Sequence, residues 1–301
     1  MTTRKNFSEH LGLLRSRLIY YGKPFNRRRL IRFYQQFVRP GALCFDIGAH
    51  LGNRTEAWLR LGAAVVAVEP QPACTQYLEK QFGDHPRFTL IKKAIGERSG
   101  LMNLHISEKT PTLTTLAGTD WQQSIQDATP YKIRWDKTIP VEVITLDELI
   151  RCHGVPDFCK IDVEDFEAAA LRGLSHAVAA LSFEFFTPAM NRVTECIRRL
   201  ETLGEYRYNW SIGESQRFAG ESWISGDKMI NTIAGYSQTP LSGDVYARRT
   251  ESFIDASSSQ GIGNEIILLS RQPMAGRARQ TTIPPLLPIR TGCICGMNDT
   301  V

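Results

Sequence analysis

Apolar and polar positions change rhythm several times along the chain. Between residues 25 and 38, Leu30, Ile31, Phe33, Tyr34, Phe37 and Val38 form a broad stripe at helical spacing, which Pro40 and Gly41 end. Residues 8–20 predict a helix before it. After Gly41 come short, nearly continuous apolar runs at 43–47, 64–69, 88–95, 158–162 and 180–186. Runs of that length without alternation belong to strands covered on both faces. Stretches of helical composition follow the runs, at 55–61, 72–82, 166–174 and 188–203, with another at 146–152. Strand–helix–strand alternation predicts an α/β fold built on a mostly parallel sheet with right-handed crossovers. Residues 101–106 and 139–144 alternate instead, as half-exposed strands do. A polar insertion holding Trp121, Tyr131 and Trp135 separates them, and residues 206–212 and 244–248 are candidates to close the sheet.

Beyond about residue 250 the periodicity stops. Ser257, Gly261, Gly263, Pro284, Pro285 and Pro288 break it, and only residues 264–270 offer a strand. The segment 250–301 is expected to be a mobile C-terminal extension. Composition fits a folded soluble chain: 42% of the 301 residues are hydrophobic and 22% charged. No apolar run approaches the roughly 18 residues of a membrane span. Arg15 and Arg17 interrupt the apolar stretch at the N-terminus, which argues against a secretory signal. The odd, scattered set of 7 cysteines favours a reducing cytoplasm over a disulfide framework. Cys293 and Cys295 have no further ligands nearby for a metal. The net charge of +5 is uneven, since residues 1–40 hold ten Lys/Arg against Glu9 alone. That segment reads as a basic helical cap with a solvated arginine face, although such charge also suits an anionic ligand. The expected layout is the cap at 1–40, a catalytic domain at 41–249 and the extension at 250–301.

Two motifs at strand ends carry chemistry. The first is Asp46-Ile47-Gly48-Ala49-His50-Leu51-Gly52-Asn53, at a strand-to-helix junction where glycines let the backbone approach a ligand. Its spacing is not G-x-G-x-x-G, and it offers a carboxylate where a pyrophosphate would be repelled. The second is Glu69-Pro70, 23 residues after Asp46, an acid placed to accept two ribose hydroxyls. Together they describe a nucleoside bearing an amino acid and no phosphate, which S-adenosylmethionine satisfies. The competing reading is a tight structural turn plus a surface acid.

Four blocks then resemble one family: Phe45 to Asn53, Val68-Glu69-Pro70, Lys160-Ile161-Asp162-Val163-Glu164 and Leu171-Arg172-Gly173-Leu174. They are similar to FkbM-like S-adenosylmethionine-dependent methyltransferases, from about residue 40 to 249. The resemblance implies a Rossmann-like class I methyltransferase sheet of about seven strands and methylation of a hydroxyl oxygen on a sugar, glycan or other small molecule. It also implies S-adenosylmethionine contacts from Asp46, Gly48, Ala49, His50, Gly52, Asn53, Glu69 and Pro70. The family usually has glycine where this chain has Asp165. Either that position needs positive φ, where Asp is the poorer residue, or Asp165 caps a helix starting at Phe166.

The third motif, Lys160 to Asp165, crowds three acids at a strand's carboxyl end. An alcohol needs a base within hydrogen-bond reach to become a good nucleophile, and clustered carboxylates raise one another's pKa. Asp162 is the expected base, with Glu164 in support; no metal is assigned, although such a cluster also suits a divalent cation. Lys160, Glu184 and Trp121 are candidate acceptor contacts. Competing classes are a nucleotide-dependent oxidoreductase on a similar sheet and a non-catalytic module for anionic ligands. No nucleic acid is expected as a partner.

Overall fold

The computed structural model describes residues 12, 14–18, 26–129, 132–236 and 240–250. Tyr131, the strand expected at 264–270, the C-terminal extension and most of the helix expected at 8–20 lie outside the described residues.

The strands are β1 (Leu43–Ile47), β2 (Ala64–Val68), β3 (Phe88–Ile91), β4 (Ala94–Ile95), β5 (Gly100–Ile106), β6 (Lys137–Ile144), β7 (Phe158–Ile161), β8 (Ala180–Phe186), β9 (Tyr206–Ile212) and β10 (Ser242–Arg249). The helices are α1 (Asn26–Tyr34), α2 (Asn53–Arg60), α3 (Pro72–Phe82), α4 (Thr119–Ala128), α5 (Leu146–His153), α6 (Glu167–Arg172), α7 (Met190–Leu203) and α8 (Gly226–Ala234).

The main sheet has seven strands in the order β3-β2-β1-β7-β8-β10-β9. Its strands are parallel except β10, which runs antiparallel to both neighbours. This is the expected Rossmann-like sheet. Chain order reverses between β1 and β7, and an open sheet of this kind binds ligands at the carboxyl ends of those two strands.

Side chains alternate across the sheet. Phe45, Ile47, Val66, Val68, Cys159 and Ile161 pack beneath α5 to α8. On the other face Cys44, Val65 and Phe158 meet α1 and α2, with Tyr34 and Trp58 edge-on to each other at 5.3 Å. α1 thus buries its apolar stripe in the same core as β1, and Arg27 on its outer side pairs with Glu56 at 3.1 Å. α5 begins with a capping box between Thr145 and Glu148, which satisfies two backbone donors at its start.

Three features differ from expectation. The run 88–95 is two strands, because Lys92 and Lys93 turn out to Glu79 and Glu142 and break the ladder. β4 then joins a second sheet of order β4-β6-β5. β4 reaches only Val143 and Ile144 of β6, so Pro140 costs no hydrogen bond on that open edge. The insertion folds as α4, and α8 covers the sheet where no element was expected. Among the described residues no helix is long and apolar enough to cross a membrane.

Candidate active site

The sheet register assembles the site. β1 and β7 pair Asp46 with Lys160, and β7 and β8 pair Lys160 with Ser182 and Ile161 with Phe183. One step further along, Asp162 stands beside Glu184, and β10 sets Asp244 opposite Glu184. Gly48 closes the row with φ of +78, and a Cβ there would lie 1.8 Å from the Asp162 carbonyl oxygen. Only glycine permits that approach, so the turn after β1 and the end of β7 form one wall.

Beneath that wall is a buried charge network. Lys160, 1% exposed, donates to Asp162 Oδ2 at 2.8 Å and to Asp244 Oδ1 at 2.9 Å. Arg54 of α2 donates to Glu214 at 2.9 Å and lies 3.9 Å from Asp244, which also accepts from the Tyr246 hydroxyl at 3.2 Å. Burial alone would raise Asp162, but Lys160 and Arg54 outweigh it and hold the carboxyl well below its ordinary range. Lys160 is therefore under the site, not in it, and its expected role as an acceptor contact gives way to positioning Asp162.

The first compartment is a cleft between the turn after β1, the end of β2 and the loop after β5. Glu69 stands there with each oxygen fixed by a backbone N–H, from His50 and from Gln71, both at 2.8 Å. Burial pushes its carboxyl up to about 7, against those two hydrogen bonds. Ile47, Val68, Ile95 and Leu104 supply an apolar wall. Lys93 is the one basic residue lining the cleft among the described residues, and it pairs with Glu142 at 2.6 Å. An apolar wall, a fixed carboxylate for hydroxyls and further carboxylates deeper in suit a cationic nucleoside and not a phosphate.

Of the eight expected cofactor contacts, Gly48, His50, Glu69 and Pro70 line this cleft. His50 sits at φ of +50, and burial lowers its imidazole to about 4, so its backbone is its working part. Asp46, Ala49, Gly52 and Asn53 are buried behind the turn. Asp46 is 2% exposed and accepts from the Thr55 amide at 3.0 Å and hydroxyl at 2.6 Å. It anchors the start of α2 instead of reaching the cleft.

The second compartment is a cavity of about 400 Å³, within the usual range for small-molecule sites. Trp121, Ile125, Phe185 and Phe186 form its apolar part, and Glu164, Glu167, Glu184 and Glu214 its acidic part. Trp121 lies edge-on to Trp135 at 5.9 Å, and Trp135 Nε1 donates to the Leu113 carbonyl at 2.8 Å. That bond holds the short turn Pro111–Leu113. Glu164 and Thr112 of this turn are the two residues that line both the cleft and the cavity. Nothing in the sequence singled out Thr112, Arg54, Glu214 or Asp244, because their neighbours are distant in the chain.

Glu164 and Asp165 are both left-handed, with φ of +55 and +73. Asp165 does not cap a helix: α6 begins at Glu167 with no side-chain cap, and Asp165 meets Arg192 at 3.4 Å. The glycine-like conformation is the alternative realised. The Glu164 carbonyl accepts from Thr115 Oγ1 at 2.6 Å, which fixes the strained pair against the loop after β5. Burial, then Asp162 and Glu167, raises the Glu164 carboxyl well above its ordinary value. Burial, then Asp162 and Glu164, does the same to Glu184. The two expected catalytic acids therefore differ: Asp162 is pinned as a carboxylate in the cleft, and Glu164 borders both compartments with the stronger basicity.

A family model described as a methyltransferase FkbM domain matches residues 46–237. No curated protein matches the chain. Several solved structures resemble it at low identity. One is a TehB-like SAM-dependent methyltransferase from Corynebacterium glutamicum, at 12% identity over 81% of this chain and 99% of that one, TM-score 0.41. A precorrin-6y C5,15-methyltransferase from Geobacter metallireducens gives 11% identity, 74% and 88% coverage and TM-score 0.37. A third is P. horikoshii TYW2 in complex with MeSAdo, with 12% identity, 76% and 64% coverage and TM-score 0.35.

Proposed function

Because the chain belongs to the FkbM methyltransferase family, we propose that it is an S-adenosylmethionine-dependent O-methyltransferase acting on a hydroxyl of a sugar, glycan or other small molecule. As a methyltransferase it is neither a nucleotide-dependent oxidoreductase nor a non-catalytic binding module. The observation that carries the finer reading is the shared border: Glu164 and Thr112 line both the donor cleft and the 400 Å³ cavity. A hydroxyl in the cavity would meet Glu164 where the donor cleft opens.

S-adenosylmethionine supplies an electrophilic methyl on a positive sulfur. Glu69 is suited to hold its ribose hydroxyls, and Gly48, His50 and Pro70 to shape the turn around it. Glu164 is placed to take the acceptor's proton as the oxygen–methyl bond forms and the sulfur keeps the electron pair of its broken bond. Asp162 supports it as a fixed negative charge. A positioned base is worth about 10²–10⁴-fold, and orientation of the two reactants up to roughly 7–11 kcal/mol. The cavity's carboxyl groups outnumber its one described arginine, Arg192, which is paired with Asp165, and this favours an uncharged or amino acceptor over a polyanionic nucleic acid. Cys44, Cys159 and Cys196 are free thiols, in keeping with work in a reducing cytoplasm.

The test is incubation with methyl-labelled donor and a panel of neutral and amino sugars and other small hydroxyl compounds, read by mass spectrometry. Gain of one methyl on oxygen supports the reading, and Glu164→Gln should cut turnover roughly 10²-fold or more while leaving affinity for the demethylated product intact. Transfer to nitrogen or carbon only, or an unimpaired variant, refutes it.

A further inference from the structure

Three carboxyl groups meet at the border of the two compartments. One oxygen from each of Asp162, Glu164 and Glu184 lies within 4.8 Å of the other two. Asp162 and Glu184 are within hydrogen-bond reach. Two carboxylates can make that bond only if a proton lies between them, since an ionised carboxylate has no donor. Asp162 and Glu164 line the donor cleft, while Glu164 and Glu184 line the acceptor cavity, so the trio spans the path of transfer.

The geometry points to Asp162, Glu164 and Glu184 as one proton-sharing unit, which releases a proton when the donor's positive sulfur is bound beside it and regains one from the acceptor as the methyl is transferred. The inference rests on the reading that S-adenosylmethionine occupies the cleft, and it adds a catalytic part for Glu184.

The surroundings decide where the proton resides. Lys160 and Arg54 are the cations nearest Asp162, and both are engaged by acids, Asp244 and Glu214 among them. Glu167 at the head of α6 and Asp165, paired with Arg192 of α7, flank Glu164. Across the turn stand Asp46 and Glu69, both pushed up by burial, and His50, kept neutral by burial. Asp162 is thus held ionised by Lys160, and the shared proton sits on the glutamates, whose carboxyls burial and their neighbours raise.

Charge then balances through the cycle. With one proton on the unit, its three groups carry two negative charges. With the donor bound and that proton released to solvent, three negative charges face one positive sulfur. During transfer the hydroxyl proton passes to the unit, the oxygen gains the methyl and the sulfur becomes neutral. The sum is the same at each stage. A base that is protonated at rest is thereby freed only when the donor is in place.

Calorimetry of donor binding in buffers of different ionisation enthalpy tests this without an acceptor. At about pH 7 the wild type should release close to one proton more on binding S-adenosylmethionine than on binding the demethylated product, whose sulfur is neutral. The donor's affinity should rise by up to about tenfold per pH unit through the unit's titration range, and the product's should not. Glu164→Gln and Glu184→Gln should each reduce the difference, with thermal melts reporting their folding. Equal proton exchange for both ligands in the wild type overturns the proposal alone. A difference that persists undiminished in both folded variants overturns it too. If neither ligand binds, the donor assignment falls, and this inference with it.

Discussion

Replacing Lys160 with methionine should cost this protein about 3 kcal/mol at neutral pH. The side chain is 1% exposed and bonds two acids, Asp162 and Asp244, whose side chains are 25% and 9% exposed. Methionine keeps most of the volume, so the loss is electrostatic, not a cavity. Breaking a buried pair by removing one partner typically costs about 3–5 kcal/mol, because the remaining charge is left without compensation. The lower end applies, since Arg54 stays 3.9 Å from Asp244 and water reaches Asp162. For a domain of this size each kcal/mol moves the melting temperature by about 2–4 °C, giving a drop of about 6–12 °C.

The loss should depend on pH in a defined direction. In the wild type the Asp162 carboxyl is held low, so its contribution is present above the unfolded carboxyl range and is lost only as pH falls through the lower folded value. Without Lys160, the buried Asp162 takes up a proton as acid is added, and the folded variant is relieved. The gap between wild type and variant should narrow from about pH 8 to about pH 5. Urea or thermal unfolding of both proteins at the two pH values is the assay. A variant melting within about 2 °C of wild type at neutral pH, or a gap that does not narrow, would refute the network's role.

Glu69→Ala should weaken S-adenosylmethionine binding by about tenfold or more without unfolding the domain, since each Glu69 oxygen holds a backbone amide at the cleft; calorimetry with equal affinities would remove Glu69 from the donor site. Asp165→Gly should leave the protein as stable or up to about 1 kcal/mol more stable, because relief at φ of +73 offsets the glycine's entropy and the lost Arg192 contact, and a clear drop in urea midpoint would show that contact to be dominant. Ligand-free protein should lose stability from about pH 5 to about pH 8: the folded state retains protons on Glu69, pushed up to about 7, and on Glu167, pushed up to about 8, that the unfolded chain has given up. Glu167→Gln should flatten that slope, and a melting temperature that climbs over the same window would contradict the sign.

The strand order was legible because the runs at β1, β2, β7 and β8 are apolar without alternation, and parallel buried strands leave few ways to connect. The break after β3 was not, since Lys92 and Lys93 sit inside an apolar stretch and their acids, Glu79 and Glu142, are on other elements. α4 was hidden for a different reason. Its buried positions, Trp121 and Ile125, are only two, and the partners that make it pack, Ile133 and Trp135, follow a break in the pattern. α8 likewise buries little beyond Met229 and Ile233.

In the site, spacing found the acids but not which way they face. Asp46 lies inside the ladder of β1, level with Lys160, so its carboxyl turns to the buried α2 side and binds Thr55. Asp162 is one step past β7, its amide still bonded to the Ile47 carbonyl, and it remains under the reach of Lys160. Glu164 is two residues further, outside any ladder and left-handed, where the Thr115 hydroxyl restrains its backbone. Glu184 belongs to β8, yet it extends past the last β7 pairing, at Ile161 and Phe183, and so emerges beside Asp162. What separates the acids that line the two compartments from Asp46 is therefore their distance past the end of the β7 ladder. That distance is set by register, and register depends on neighbours such as β10, whose Asp244 lies more than eighty residues from the motif it completes.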